Sequence, residues 1–293
     1  MAMLNRVEEL RQAALAQVRA GAVEEALDVY DQALALAGDD EEACELITIN
    51  KADALIMLER GGPEVAELPR VIMRRRNARH VYLAAYALQY KHRIENDVKR
   101  AIFYGELALR TAEEAGEPLW RRVVLYELGT MYGCDSQLAR SIECFEGVLL
   151  ITGESAANND LTLAHGLALE SLGYVHMLNG EADKGVEYVL ESLSILRDPI
   201  TVAEAYIDLC YGYLELGKLE EPRTYGERAL QLSTEERHVR NGHYLLGEVC
   251  YTLGDKQAAD RHFDELARFY PEFKNLKSLL YAIDLRGMVN LKL

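Results

Sequence analysis

Along this chain apolar residues return every three or four positions, and short polar or glycine-bearing turns interrupt the run at near-regular intervals. In 14–36, ALAQVRAGAVEEALDVYDQALAL, the positions Ala26, Tyr30 and Ala33 follow such a turn at Gly21. A return near 3.6 residues puts side chains on one face of an α-helix. Glycine between two such faces ends the first helix, because it accepts a left-handed backbone without a side-chain clash. Gly21, Gly61, Gly180, Gly217 and Gly254 are the glycines expected to close first helices, with equivalent turns near Asn96–Asp97 and Asp135–Ser136. Alternating helices at a period in the high thirties to low forties predict a repeat architecture.

The pattern predicts fifteen helices: seven hairpins over about 4–38, 40–76, 78–116, 118–153, 159–198, 199–233 and 235–271, and a further helix within 273–293. Helix starts are marked by Asp39-Asp40-Glu41-Glu42, by Asp198-Pro199, and by Ser233 with Glu236 three residues on. In the last segment, Leu276, Leu279, Leu280 and Ile283 share a face suited to capping a stack. Met288 to Leu293 are apolar for a chain end. Two fates suit them: folding back on the array, or meeting a second copy in a homodimer.

The residue schedule inside the hairpins is more specific than their period. In 243–271, Leu246-Gly247 precede Tyr251, Gly254 breaks the helix, and Ala259, Phe263, Ala267 and Pro271 follow. Leu128-Gly129, Tyr132 and Phe145 repeat the schedule, as do Leu172-Gly173 with Gly180, and Tyr213, Gly217 and Ala229. A Leu-Gly pair lets two helices approach, since glycine puts no side chain at the crossing. The alanine four residues before the aromatic lets the ring seat against the neighbouring helix. These residues resemble the tetratricopeptide repeat, W-x2-L-G-x2-Y, then A-x3-F-x-x-A, then P. The likeness is close at 243–271 and 7–38, good at 122–150, weaker at 166–199, 203–233 and 44–76, and poorest at 78–116. That last stretch keeps Ala101 and Ala108 without a Leu-Gly pair. The resemblance implies an all-α fold, a right-handed α-solenoid of about seven hairpins plus a C-terminal capping helix, in one domain over 1–293. The repeats exceed the family's usual length of about 34 residues, which implies longer helices.

Charge changes the picture of partners. The net charge of −16 disfavours nucleic acid and anionic membrane. It is uneven: Arg70, Arg74, Arg75, Arg76, Arg79, Lys91, Arg93, Lys99 and Arg100 face only Glu95 and Asp97 within 69–100. That stretch is either a solvated basic face or a dock for an acidic peptide. No run of apolar residues is long enough to span a membrane, and the N-terminal stretch lacks the apolar core of a signal peptide. The five cysteines never form C-x-x-C and sit among apolar helical positions, so reduced thiols and a cytoplasmic location are expected.

No nucleophile-elbow, dinucleotide-binding, phosphate-loop or zinc-protease motif occurs. Neither a cofactor nor a metal is implied, and an enzyme is the least favoured reading. Tyrosine is abundant, with 17 against five Phe and one Trp. In solenoids of this family the first helix of each pair lines a concave groove. By that resemblance the residues facing it are Lys51, Tyr86, Tyr90, Arg93, Tyr126, Tyr174, Tyr211, Asn241, Tyr244 and Tyr251. Tyrosine combines a large contact area with a polar tip, which suits peptide binding; it also suits plain packing, and both readings stand. A family clamp of Lys and Asn that grips a peptide's C-terminus would fall near Arg11 and Leu15. Leu15 carries no amide, so Arg93 and its basic surroundings are the better place for an acidic peptide. The resemblance therefore implies a protein- or peptide-binding scaffold or adaptor. The alternative is a peptide-sensing regulator that changes shape on binding. No helix-turn-helix precedes the first repeat in this sequence, so a sensor's output would pass through a partner.

Overall fold

Each hairpin turn is closed by the same two backbone hydrogen bonds. In the first, Gly21 N–H donates to Val18 O at 3.0 Å and Ala22 N–H donates to Gln17 O at 2.9 Å. The residue between helix and turn stands in the left-handed region: Gly21 at φ 82°, Gly180 at 81°, Gly217 at 68° and Gly254 at 80°. Three hairpins achieve this without glycine, at Glu59 (55°), Asn96 (57°) and Ser136 (58°). The second hairpin therefore departs from the sequence reading. Its turn is completed at Glu59, where Arg60 N–H already donates to Leu55 O at 2.8 Å, before the chain reaches Gly61.

The computed structural model describes residues 2–151, 159–283, 285–286 and 291–292. The described residues form fifteen α-helices and no strand: α1 (Ala2–Arg19), α2 (Val23–Ala37), α3 (Glu41–Met57), α4 (Pro63–Arg74), α5 (Ala78–Ile94), α6 (Val98–Ala115), α7 (Pro118–Cys134), α8 (Leu138–Leu149), α9 (Asn159–Leu178), α10 (Ala182–Leu193), α11 (Pro199–Glu215), α12 (Glu220–Leu232), α13 (Glu236–Thr252), α14 (Lys256–Ala267) and α15 (Leu276–Ala282). This is the all-α solenoid class. No helix among the described residues is long and apolar enough to cross a membrane.

The helices gather into two compact units, Met1–Met131 and Tyr132–Leu293. In the first, α1 touches α3 and α3 touches α5, while α2, α4 and α6 pack on their hairpin partners. In the second, α9 touches α11 and α11 touches α13, with α10, α12 and α14 behind them. First helices of successive hairpins thus form a layer of their own in each unit. Neither helix of a hairpin covers its apolar surface alone; the next hairpin supplies the rest. In the first unit the buried positions include Ala26, Tyr30 and Ala33 against Ile47 and Ala54. In the second, one continuous cluster runs from Tyr174 to Phe263 and takes in Leu280 and Leu291.

The Leu-Gly pair has the role its chemistry suggests. A Cβ added at Gly247 would lie 2.2 Å from Cε1 of Phe263, a ring with no exposed surface. Gly173 and Gly185 face each other across α9 and α10: a Cβ on either would come within 2.6 Å or 2.5 Å of the other's carbonyl oxygen.

Helix starts agree with the acidic signals in part. Asp40 accepts from Ala43 N–H, Asp198 from Ile200 and Thr201 N–H, and Asp255 from Ala258 N–H. Ser233 does not cap α13 in the expected way. Its hydroxyl accepts from Glu235 N–H and pairs with His238 Nδ1 at 2.9 Å. The terminal helix α15 also differs from the expected face. Leu280 is buried, but Leu279 and Ile283 are 40% and 47% exposed. The docking contact is Tyr281, whose ring lies 5.3 Å from Phe263 and whose hydroxyl donates to Asp260 at 2.8 Å. Five cysteines are free thiols, of which Cys144, Cys210 and Cys250 are buried.

Candidate functional site

In the second unit, α9, α11 and α13 bring polar side chains to one place. Glu170 and Tyr174 stand one turn apart on α9. Glu204, Asp208 and Tyr211 occupy successive turns of α11, and Arg237, Asn241 and Tyr244 do the same on α13. These spacings put each set on a single helix face. All but Glu204 and Arg237 of these eight are buried.

The last described residues, Leu291 and Lys292, lie on this face. Leu291 N–H donates to the Tyr174 hydroxyl oxygen at 3.0 Å. Its carbonyl accepts from Asn241 Nδ2 at 2.7 Å and from Arg237 Nη1 at 3.2 Å. The main chain of Leu291 is therefore held at both its N–H and its carbonyl by side chains of two helices. Lys292 Nζ pairs with Glu170, with Asp208 Oδ2 at 2.8 Å and with Glu204 Oε1 at 3.1 Å. The ammonium also sits 5.1 Å from the centre of the Tyr174 ring, a cation–π distance. Of the two fates for Met288–Leu293, Leu291 and Lys292 take the first, folding back on the array; residues 287–290 and 293 lie outside the described residues.

Electrostatics explain why three carboxylates coexist here. Asp208 has no exposed surface, and burial holds its carboxyl well above the usual value; Lys292 opposes that shift, and Glu170 adds to it through a shared hydrogen bond. Burial acts on Glu204 in the same sense, yet its carboxyl ends below the ordinary range, because Lys292, His238 and Arg237 outweigh burial. Arg237 grips Glu204 with both terminal nitrogens, at 2.8 and 2.9 Å. Burial disfavours the Lys292 ammonium, but the three acids raise its basicity above that of a free lysine. The site is thus a cation-holding pocket beside a main-chain clamp.

The sequence-derived residues separate into groups. Tyr174, Tyr211, Asn241 and Tyr244 come together in the second unit, with the Tyr174 and Tyr211 rings 6.2 Å apart. Tyr251, 45% exposed, is instead covered on one side by Tyr281, at 5.0 Å. In the first unit, Tyr86 stacks 6.1 Å from Tyr82, which lies 4.6 Å from Trp120. Tyr90 stands under the Arg93 guanidinium at 5.0 Å, and Arg93 reaches Glu127 at 3.5 Å. Tyr126, next to Glu127 on α7, is half-buried. Burial pushes the Tyr86 hydroxyl and the Glu127 carboxyl up in pKa. Lys51 serves packing: it bridges Asp31 at 2.6 Å and Glu64 at 2.8 Å. Arg11 is buried and bound to Glu8 and to Asn50 Oδ1 at 3.0 Å, which ties α1 to α3.

Neighbouring acids already hold much of the basic stretch. Arg74 pairs with Glu45 and Glu67 at 2.9 Å each, Arg76 with Glu41 at 2.5 Å, Lys91 with Glu95 at 2.5 Å and Arg70 with Glu67 at 3.0 Å.

Sequence reasoning missed Glu170, Glu204, Asp208 and Arg237. A signal existed: each stands one or two turns before a residue expected to face the groove. Lys292 could not have been assigned, because nothing local ties it to acids more than 80 residues away.

No protein-family model matches this sequence, and no curated protein matches it. Solved structures do. The chain is similar to the apo form of RapI, at 12% identity over 98% of this chain and 83% of that one, with a TM-score of 0.73. It is similar to NprR in complex with its cognate peptide NprX, at 15% identity over 100% of this chain and 87% of that one, with a TM-score of 0.65. A tetratricopeptide repeat protein from Parabacteroides merdae matches at 15% identity over 97% and 99% of the two chains, with a TM-score of 0.58. With the hairpin turns and glycine crossings above, these likenesses place the chain among proteins of the tetratricopeptide-repeat fold.

Proposed function

We propose that this chain is a binding protein without catalysis of its own, and that the face made by α9, α11 and α13 holds an extended peptide or protein segment. One observation carries the reading: the main chain of Leu291 is bracketed by Tyr174, Asn241 and Arg237 at its N–H and its carbonyl. Side chains that satisfy the main chain of a residue at both its N–H and its carbonyl suit the backbone of a bound segment. The same tyrosines give contact area at low entropic cost. That NprR was solved with a peptide supports the reading by analogy of fold. A sensing version adds a change in hairpin packing when the face is occupied. The basic stretch at 70–100 is a weaker dock for an acidic segment, since Glu41, Glu45 and Glu67 already hold Arg74 and Arg76.

The test is to pan a random peptide library on the purified chain and on a Tyr174→Phe, Asn241→Ala variant shown by circular dichroism to be folded. Enrichment on the first that falls on the second is the expected result. Equal enrichment on both would remove this face from the reading.

A further inference from the structure

The second unit carries its own occupant, and that occupant has a definite chemistry. Three carboxylates converge on one ammonium, although among the described residues only Glu204 also pairs with an arginine, Arg237. Asp208 is the clearest case. It has no exposed surface, only its Oδ2 reaches Lys292, and its Oδ1 has no hydrogen-bond partner among the described residues. A fully buried carboxyl costs stability unless a cation or a hydrogen bond meets it. Beside it, Leu291 is itself buried at 3% exposure in the unit's core cluster. The face therefore reads three things at once: an aliphatic side chain, the peptide unit attached to it, and a lysine next in sequence.

We propose that Leu291-Lys292 is an intramolecular ligand of the α9–α11–α13 face, and that the partner served by this face is a protein or peptide segment with the same aliphatic–lysine pair, which binds by displacing the tail. This inference rests on the binding reading above and specifies its ligand. Tail and partner cannot share the site, because Lys292 fills the space between Glu170, Glu204 and Asp208, and Asn241 has already given a hydrogen to Leu291. A competing segment without an ammonium leaves the space between Glu170, Glu204 and Asp208 without the positive charge that Lys292 places there. Binding is thus selective for charge as well as shape, and the affinity measured on the intact chain is reduced by the tail's occupancy.

The experiment uses the intact chain and a fluorescein-labelled synthetic peptide copying residues 286–293, RGMVNLKL, with a second peptide, RGMVNLEL, as the charge-reversed probe. Fluorescence anisotropy should show RGMVNLKL binding at least about tenfold more tightly to Lys292→Ala than to the wild type, because the internal competitor is weakened. RGMVNLEL should bind neither. Equal affinity of both proteins for RGMVNLKL, or equal binding of the two peptides, would overturn the proposal. A measurement on the wild type guards against a variant that misfolds. Acetylation by a hydroxysuccinimide ester, read by mass spectrometry, should modify Lys292 at least about tenfold more slowly than the exposed Lys99, and saturating RGMVNLKL should remove that protection. Lys292 as reactive as Lys99 from the start, or still protected with the peptide saturating, would sink the idea. A dimer by light scattering that Lys292→Glu dissolves would assign the tail to a second copy, and the proposal would fail. Library peptides that need Tyr174 and Asn241 but carry no lysine would leave the binding face standing and end the lysine specificity alone.

Discussion

Asn241 Nδ2 donates to the carbonyl oxygen of Leu291 at 2.7 Å, joining two residues 50 positions apart in the chain. The amide is buried, and the Leu291 carbonyl it meets stands in a turn. Removing the donor leaves the Leu291 carbonyl with Arg237 alone. Asn241→Ala should weaken the hold on the tail by about 1 kcal/mol, roughly fivefold in its docking equilibrium. Hydrogen exchange at the Leu291 amide, which is bonded to Tyr174, should quicken by that factor. Tyr251→Ala should not change it, because Tyr251 lies against Tyr281.

Two glycines separate steric cost from backbone cost. Gly247 sits inside α13, where an added methyl meets the Phe263 ring at 2.2 Å; Gly247→Ala should cost about 1–3 kcal/mol from overpacking. Gly180 has open space around it but stands at φ 81°, so Gly180→Ala should cost about 1 kcal/mol from the backbone alone. Urea unfolding of both variants measures the difference. Gly247→Ala combined with Phe263→Leu should recover part of its loss, whereas Gly180→Ala gains nothing from that second change.

Asp53, on α3, has its carboxyl pushed up from 3.8 to about 6 by burial. The folded chain keeps this proton where the unfolded chain has lost it. Stability from this group therefore falls as pH rises from about 4 to about 6, and is level above that. Asp53→Asn removes the dependence. The variant should match the wild type near pH 4 and exceed it at pH 7.5 by about 1–3 kcal/mol. Urea unfolding at the two values checks it, and a variant less stable at pH 7.5 would refute the assignment.

Glu204 behaves in the opposite sense. Its folded-state value lies below the ordinary 4.5, despite burial, because Lys292, His238 and Arg237 favour the anion. Its contribution is complete above 4.5 and drains away as pH falls through the lower folded value. Glu204→Gln should lose about 2 kcal/mol at pH 7, when Arg237 and Lys292 lose a shared acid. Thermal melting from pH 3 to 6 should then decline less steeply in the variant than in the wild type.

The hairpins were legible because their causes are local. A 3.6-residue apolar period, a left-handed turn and an acidic cap each involve neighbours in the chain, so helices alternate with left-handed turns as the pattern implies, with Gly61 the one turn glycine out of place. The glycine crossings were legible for the same reason: Leu246-Gly247 and Phe263 belong to one hairpin. Tyr174, Tyr211 and Tyr244, which meet in one cluster of the second unit, could be counted from the same frame. Their neighbours Glu170, Glu204 and Asp208 could have been counted too, but an acid in a helix is more often solvated, and nothing in the sequence says that these meet a lysine.

By itself the sequence determined the repeat: which residues form helices, where they end, and which faces must be covered by the next hairpin, all consequences of side-chain period and backbone torsion over a few residues. Tertiary structure alone decided what those faces hold. Lys51 and Arg11 became internal ties, the basic stretch was largely paired with acids, and Leu291-Lys292 took the α9–α11–α13 face. Burial and charge neutralisation depend on residues brought together from distant repeats, and no local pattern carries that information.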